Sequence, residues 1–449
     1  MEKFVKEKVI VGLGETGWSC AQFFRNKQVP FRIADSRTKP PYLEKLKVEM
    51  PEVTVSLGEF VENDFLEADE LIVSPGIDLR LPVFEMARQK GIKIRGDVDV
   101  FAEYNSKPVI AITGSNAKST VTTLVGEMAK NSGINTGVGG NIGLPVLELL
   151  AEDRFSLIVL ELSSFQLEST ENLGASVATV LNVSPDHMDR YESFDEYVKA
   201  KLRIFNGCQK VVINQDATNF LADTEIAAER IYFGMNCEGV NLFCVTEKEG
   251  GQFIAMDGQP LFSVSELKIS GSHNVSNVLA ALTLGFAAGL PLEKMIEAAK
   301  VFPGLPHRCQ WVRELNGINF YNDSKGTNVG AATAAIRGLA EKGNIILLAG
   351  GESKGAEFKE LGKVMSEFGK LLVLYGADAM TIKDHVNNEI AGKVKILFAD
   401  SLKEALQKAY VNAEKGDLIL LSPACASFDQ FRNFEERGCV FVDAVQELH

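Results

Sequence analysis

Several short segments of this chain carry residue types, at spacings, that suit phosphate, metal and acid–base chemistry. In Ile112-Thr113-Gly114-Ser115-Asn116-Ala117-Lys118-Ser119-Thr120, loop N–H groups would cradle phosphates, Lys118 would reach the β- and γ-phosphates, and Ser119 would ligate Mg²⁺. The segment departs from the strict phosphate-loop pattern, because Ile112 and Ala117 stand at the two glycine positions. Gly12-Leu13-Gly14-Glu15-Thr16-Gly17, with Asp35 ending the next apolar run, suits a nucleotide or dinucleotide, though a tight turn that binds nothing has the same spacing. Glu161, at the end of an apolar run in Leu160-Glu161-Leu162-Ser163-Ser164-Phe165-Gln166, is where a carboxylate can hold Mg²⁺ directly or through water.

His187, one of five histidines, sits with Asp186 and Asp189 in a polar segment after an apolar run, and Lys201 follows on a helical stretch. Taken alone, a single histidine is more often structural, and Lys201 reads as a solvated lysine. Beyond Pro303-Gly304 come Leu305-Pro306-His307-Arg308 and Asn322-Asp323-Ser324-Lys325-Gly326-Thr327-Asn328, then Gly350-Gly351-Glu352-Ser353-Lys354 and Ser422 to Phe431. The last three follow apolar stretches, as polar residues at strand ends do. Cys425 has no evident base beside it and reads as a small packing residue.

To present these segments together, the elements around them must be strands with helices between. Continuous Val- and Ile-rich runs at Lys8 to Val11, Phe31 to Ala34, Leu71 to Val73, Val109 to Thr113, Leu157 to Leu160, Val177 to Leu181, Val211 to Asn214, Ile345 to Ala349, Leu371 to Tyr375, Val394 to Phe398 and Leu418 to Leu421 alternate with helical periodicity. Runs of this kind predict an α/β fold whose parallel sheets are covered on both faces. In doubly wound sheets the loops at the carboxyl ends of the strands face one crevice. Breaks near Arg95-Gly96 and at Phe302-Pro303-Gly304 predict domains 1–95, 96–302 and 303–449, with a β-rich insertion or sheet edge between Ala217 and Ser270 marked by Gly239, Gly250, Gly251 and Gly258. A length of 449 residues suits roughly three domains and rules out a single small binding module.

With 46 Lys+Arg against 60 Asp+Glu, the net charge of −14 argues against a nucleic-acid or anionic-lipid binder. By segment, 1–95 holds 15 basic and 15 acidic residues, 96–302 holds 14 and 26, and 303–449 holds 17 and 19, so the excess acid is central. The seven cysteines lack a C-x-x-C pair, which suggests neither a disulfide framework nor a thiolate zinc site, and a reducing cytosol fits best. The longest apolar stretch, Val278 to Leu292, is interrupted by Thr283, Gly285, Gly289 and Pro291 and reads as a core helix, not a membrane span.

In their order along the chain, these segments, with Ser74-Pro75-Gly76, Gly139-Gly140-Asn141-Ile142-Gly143 and His273-Asn274, resemble the Mur ligases, the ATP-dependent amide-bond ligases of peptidoglycan precursor synthesis. The resemblance covers essentially the whole chain. It implies a Rossmann-like N-terminal domain for a UDP-linked muramoyl-alanine substrate, a P-loop ATPase-like central domain, and a Rossmann-like C-terminal domain for D-glutamate. It assigns Gly14, Thr16, Asp35, Arg37, Ser74, Gly76, Asn141 and His187 to the UDP substrate. Gly114, Ser115, Asn116, Ala117, Lys118, Ser119, Thr120, Asn274, Arg308 and Asp323 are assigned to ATP. For two Mg²⁺ ions it assigns Ser119, Glu161, His187 and Lys201, the last as a carbamate. Lys325, Thr327, Lys354, Ser427 and Phe434 are assigned to D-glutamate.

Lys118, His187, Lys201 and Arg308 are the implied catalytic set, acting through an acyl phosphate. The resemblance further implies a cytoplasmic monomer that closes about a hinge at Phe302 to Leu305, without nucleic-acid or membrane partners. By the resemblance, most relatives have glycine where Ala117 stands, which matters if its φ is positive; they often have alanine where Gly326 stands, a neutral exchange. Two readings of other classes compete: a nicotinamide dehydrogenase built on Gly12 to Gly17, and a nucleotide-binding regulator whose loop Ala117 has disabled.

Overall fold

The computed structural model describes residues 7–151, 154–221, 226–237, 241–269, 271–340 and 343–449; Gly239 and Ser270 lie outside them. The apolar runs form parallel strands in three sheets. The first holds β1 (Lys8–Val11), β2 (Phe31–Asp35), β3 (Val55–Leu57), β4 (Glu70–Val73) and β5 (Lys93–Arg95), ordered β3-β2-β1-β4-β5 and parallel throughout.

The second holds β6 (Val109–Thr113), β7 (Thr136–Gly140), β8 (Leu157–Glu161), β9 (Val177–Val180), β10 (Lys210–Asn214) and β11 (Glu229–Phe233), extended by β12 (Asn241–Lys248), β13 (Gly251–Met256) and β14 (Gln259–Ser263). Its order is β14-β13-β12-β11-β10-β9-β6-β8-β7, with β12, β13 and β14 antiparallel to one another, which is the expected β-rich edge. The third holds β15 (Gln310–Leu315), β16 (Ile318–Asn322), β17 (Ile345–Gly350), β18 (Gly369–Tyr375), β19 (Lys395–Phe398) and β20 (Leu418–Leu421), ordered β15-β16-β20-β17-β18-β19 with only β15 antiparallel.

Every residue of β6, β8, β17 and β20 is buried, because helices cover both faces of these parallel strands. That double cover is why they read as unbroken apolar runs and not as alternation. The apolar stretch from Val278 is the core of helix Ser272–Ala287, and among the described residues no helix is long and apolar enough to cross a membrane.

The apolar-run reading passes over β3, β5, β7 and β15. The first two are three residues long, and β7 (Thr-Gly-Val-Gly-Gly) reads as a loop. Its glycines are spatial requirements: a Cβ at Gly139 would overlap the Leu144 carbonyl, and one at Gly140 the Glu161 carbonyl. The cysteine expectation is also corrected, since Cys237 and Cys244 form a disulfide. Their Cα atoms lie 5.1 Å apart, a pairing that no C-x-x-C spacing announces. Cys20, Cys208, Cys309, Cys425 and Cys439 are free, and burial pushes the Cys425 thiol up to about 12, in keeping with a packing role.

Candidate functional site

A cavity of about 610 Å³ opens between the carboxyl ends of the central and C-terminal sheets. From the central sheet, β6 runs into the phosphate-type loop, and helix Lys118–Asn131 begins where that loop ends. Ala117 is the N-cap of this helix and has φ 68°, so the methyl group sits on backbone in the left-handed region. Lys118 Nζ donates to the carbonyl oxygens of Gly114 (2.8 Å) and Ser115 (3.0 Å), and Lys201 Nζ donates to the same Gly114 oxygen at 2.9 Å.

Two ammonium groups so close in the interior disfavour each other. Burial, and then the charge of Lys118, holds the Lys201 amine well below the ordinary lysine range against the pull of Asp186 and Glu161. Burial likewise lowers Lys118, with Glu161 and Asp186 opposing. Lys201 reaches the loop from helix Phe194–Leu202, which is capped by Ser193. Tyr197, four residues earlier on the same face, is also buried; its hydroxyl lies 2.9 Å from Ser115 Oγ and its ring lies under the Lys201 amine, 4.6 Å from the centroid.

Glu161, the last residue of β8, is buried. Its Oε1 accepts from Asn141 Nδ2 at 2.7 Å, while Oε2 is buried and has no partner. A carboxylate oxygen left alone in the interior is costly unless a cation meets it, so the residues present fit a divalent metal. Among the described residues, no three His, Cys, Asp or Glu side chains gather into a metal-binding group. His187, with φ 58°, packs edge-on against Phe165 at 4.8 Å, and burial lowers its pKa with Asp186 opposing.

The C-terminal sheet supplies the facing wall. Arg308 Nη2 donates to Ser119 Oγ at 2.6 Å, linking residues 189 apart in sequence, and burial lowers the guanidinium pKa. Asp323, just after β16, accepts from Ser422 Oγ (2.6 Å) and Cys309 N (3.1 Å), and burial lifts its carboxyl to about 6. Lys325 Nζ lies 4.0 Å from the Phe434 ring centroid; burial first, then Arg308 and Lys118, lowers its amine to about 8. Thr327, Lys354 and Ser427 line the same cavity, as does Asn274. Gly326 does not accommodate a neutral exchange: a Cβ there would stand 2.5 Å from Asp323 Oδ2 and 2.6 Å from Ser422 Oγ, two groups already bonded to each other.

The remaining residues gather on the N-terminal sheet, at the switch point where β1 and β4 lie side by side. Asp35 is buried and accepts from Leu13 N (2.6 Å) and from Arg37 N, Nε and Nη2 (2.8, 2.9 and 2.6 Å). Burial alone would raise its carboxyl, but these donors hold it below the usual range. Gly14 caps helix Glu15–Asn26 with open space where a Cβ would stand, whereas Gly17 packs so tightly that a Cβ would overlap the Gly12 carbonyl. Ser74 Oγ donates to that same carbonyl at 3.1 Å, near Gly76. Thr16 lies in the first turn of the helix. These residues do not line the cavity between the central and C-terminal sheets. Arg190 connects the two regions, donating to Ile77 O and Glu168 Oε2, each at 2.8 Å.

Reasoning from motifs missed Tyr197 and Arg437. The i, i+4 spacing of Tyr197 and Lys201 was an available signal. Arg437 had none: it is fully buried and donates to Ser324 Oγ, Ser324 O and Cys425 O, fixing the loop after β16 against that after β20.

Comparison with known proteins finds three matching family models: a Mur ligase MurD-like N-terminal domain at residues 6–96, a Mur ligase middle domain at 112–285, and a Mur ligase glutamate ligase domain at 307–425. The chain is 49% identical to the UDP-N-acetylmuramoylalanine–D-glutamate ligase of Pseudomonas putida (98% of this chain, 97% of that protein) and 48% identical to the one from Marinobacter nauticus (99% and 98%). Among solved structures it is similar in fold to a pseudomurein peptide ligase from Methanothermus fervidus (TM-score 0.61, 20% identity, 93% and 96% covered). It is likewise similar to MurF from Acinetobacter baumannii (TM-score 0.61, 16% identity, 98% and 92% covered).

Proposed function

Because this chain belongs to the Mur ligase family, we propose that it joins D-glutamate to UDP-N-acetylmuramoyl-L-alanine at the expense of ATP. This is the reaction named for its Pseudomonas and Marinobacter relatives, in peptidoglycan precursor synthesis. The observation that carries the reading is the single cavity in which Lys118, Ser119 and Glu161 of the central sheet face Arg308, Asp323 and Lys325 of the C-terminal sheet. Such an arrangement suits a reaction that must activate a carboxylate with ATP and then present an amino acid to it. The glycine loop at Gly12 to Gly17 is then a diphosphate site without a nicotinamide, and the dehydrogenase alternative loses its ground.

A carboxylate is a poor electrophile toward an amine, so the substrate carboxylate first takes the γ-phosphoryl group of ATP, and the D-glutamate amine then displaces phosphate. Lys118 and Arg308, both half-buried and poised on the phosphate loop, stabilise negative charge as it shifts between ATP and the acyl oxygen. Mg²⁺, when bound, neutralises phosphate charge; Ser119 and Glu161 would hold it, with His187 at the substrate end. The unpartnered Glu161 oxygen supports this set, and two ions are proposed. Lys201 is proposed to act as a carbamate. Its depressed amine is the form that can add CO₂, and the product replaces a cation by an anionic ligand for the metal. Lys325, Thr327, Lys354, Ser427 and Phe434 would receive D-glutamate, a cation paired with an aromatic face suiting a dicarboxylate.

By this reading residues 1–95 hold the UDP substrate, 96–302 hold ATP and 303–449 hold the amino acid, in a cytoplasmic monomer. The test is a panel of amino acids in an ATP-dependent phosphate-release assay with UDP-N-acetylmuramoyl-L-alanine. Release is expected with D-glutamate; turnover with L-lysine or diaminopimelate in its place would reassign the substrate.

A further inference from the structure

Asn328 makes three hydrogen bonds that join parts of the molecule far apart in sequence. Its Oδ1 accepts from Ala331 N at 2.8 Å and caps helix Val329–Leu339 of the C-terminal domain. Its Nδ2 donates to Asn116 Oδ1 in the phosphate-type loop at 3.2 Å and to Asp186 Oδ2, beside His187, at 3.0 Å. The amide orientation follows from its partners, since a backbone N–H can only donate and a carboxylate only accept. The side chain is buried, and both amide hydrogens and the oxygen are used.

The receiving groups are themselves fixed. Asn116 N donates to Asn182 Oδ1 at 2.9 Å, and Asp186 Oδ1 accepts from His187 N at 3.0 Å. The capped helix then lies against the central domain along glycines. A Cβ at Gly330 would stand 2.7 Å from Ser184 Oγ, and one at Gly338 would collide with the His273 ring. Glycine is a poor helix residue, so two of them in an 11-residue helix call for a reason, and close contact at both ends is one.

We propose that Asn328 is a positioning residue, a latch whose amide nitrogen docks the amino-acid-binding domain on the phosphate loop and on the His187 segment at once, with Gly330 and Gly338 clearing the way for its helix. The proposal rests on the ligase reading for its kinetic consequence and on geometry alone for its structural one. Holding the two walls of the cavity in register brings the amino acid to the activated carboxylate, so the latch affects assembly of the site without touching the reacting atoms.

Asn328→Asp separates the two roles of the side chain. Aspartate is an equally good helix cap, but it has no donor for Asn116 and turns a carboxylate toward Asp186. The full-length variant is expected to keep the wild-type unfolding midpoint and affinity for UDP-N-acetylmuramoyl-L-alanine. Its D-glutamate and ATP KM values should rise, with kcat/KM falling roughly tenfold to a hundredfold, as for loss of a charge-assisted hydrogen bond. Small-angle scattering with ATP analogue and Mg²⁺ present should show a more extended particle than wild type under the same conditions. Gly338→Ala, a wedge at the other end of the helix, should give the same pattern and serves if the first variant folds poorly. Wild-type compactness and wild-type KM values in both variants would overturn the latch, as would a fall in kcat alone. If wild-type protein itself fails to turn over D-glutamate, the ligase reading fails, while the scattering comparison still decides the latch.

Discussion

At the residue scale, Ala117 poses the sharpest question, because a Cβ at φ 68° is strained in a phosphate-type loop. The left-handed conformation costs an alanine about 1–2 kcal/mol. Against that, the methyl packs on the central apolar core, worth up to about 0.8 kcal/mol, and glycine would add about 0.4–1 kcal/mol of unfolded-chain entropy. These terms nearly cancel, so Ala117→Gly is expected to shift stability by under about 1 kcal/mol in denaturant unfolding and to leave turnover within a few-fold. A large rise in turnover would mean that alanine had disabled the loop, and would favour the regulator reading.

Lys325 makes a pH prediction. Its amine, lowered by burial to about 8, loses its charge as pH rises past that value, so affinity for D-glutamate should weaken above pH 8, read as a rising KM. A base with a depressed folded-state pKa contributes stability above the unfolded lysine value and loses it as pH falls through 8. At neutral pH the charge is therefore carried at a cost that an anionic ligand relieves, and D-glutamate binding near pH 8 should take up protons.

At the element scale, the loops after β16 and β20 are a single packed unit. Arg437 bonds to both, Asp323 accepts from Ser422, and Gly326 leaves no room between them. Gly326→Ala should therefore destabilise the protein by about 1–3 kcal/mol in denaturant unfolding and raise the ATP KM by displacing Asp323 from its partners. Unchanged stability would show that the Asp323–Ser422 pair yields easily. Of the strands that carry these loops, β20 was legible from local composition, since four buried apolar residues in succession have few other solutions, whereas β16 alternates in burial and carries two asparagines. The crowding at Gly326 was not, because it arises between segments about a hundred residues apart. For the same reason β7 was missed, its glycines being chosen by the carbonyls of neighbouring segments and not by strand propensity.

At the scale of the whole molecule, the side-chain hydrogen bonds between the central and C-terminal domains are few among the described residues, Arg308 to Ser119 and Asn328 to Asn116 and Asp186, beside the packing of helix Val329–Leu339 on helix Ser272–Ala287. The chain between the domains passes through Phe302, Pro303, Gly304 and Leu305, after helix Leu292–Val301 ends. Small polar interfaces of this kind permit domain motion, and residues assigned to ATP come from both sides of the cavity. Nucleotide should therefore favour the closed arrangement, seen as a smaller radius of gyration in scattering with ATP analogue and Mg²⁺. Equal compactness with and without nucleotide would count against domain closure. Of the central acidic residues, Glu161 and Asp186 act on Lys118 and Lys201 in the site, while others such as Glu196, Glu229, Glu249 and Glu293 lie exposed.

From its linear order alone, this chain determined its α/β class, the strands that bear the loops, and the chemical types those loops present, because buried runs and glycine-rich turns are local properties. Tertiary structure decided the sign of φ at Ala117, the pairing of Cys237 with Cys244, the partner of Asn141, and the convergence of Lys118 and Lys201 on one carbonyl oxygen. It also decided which groups are driven from their usual protonation. Burial and through-space charge set those properties, and they depend on distances between residues that sequence separation does not encode.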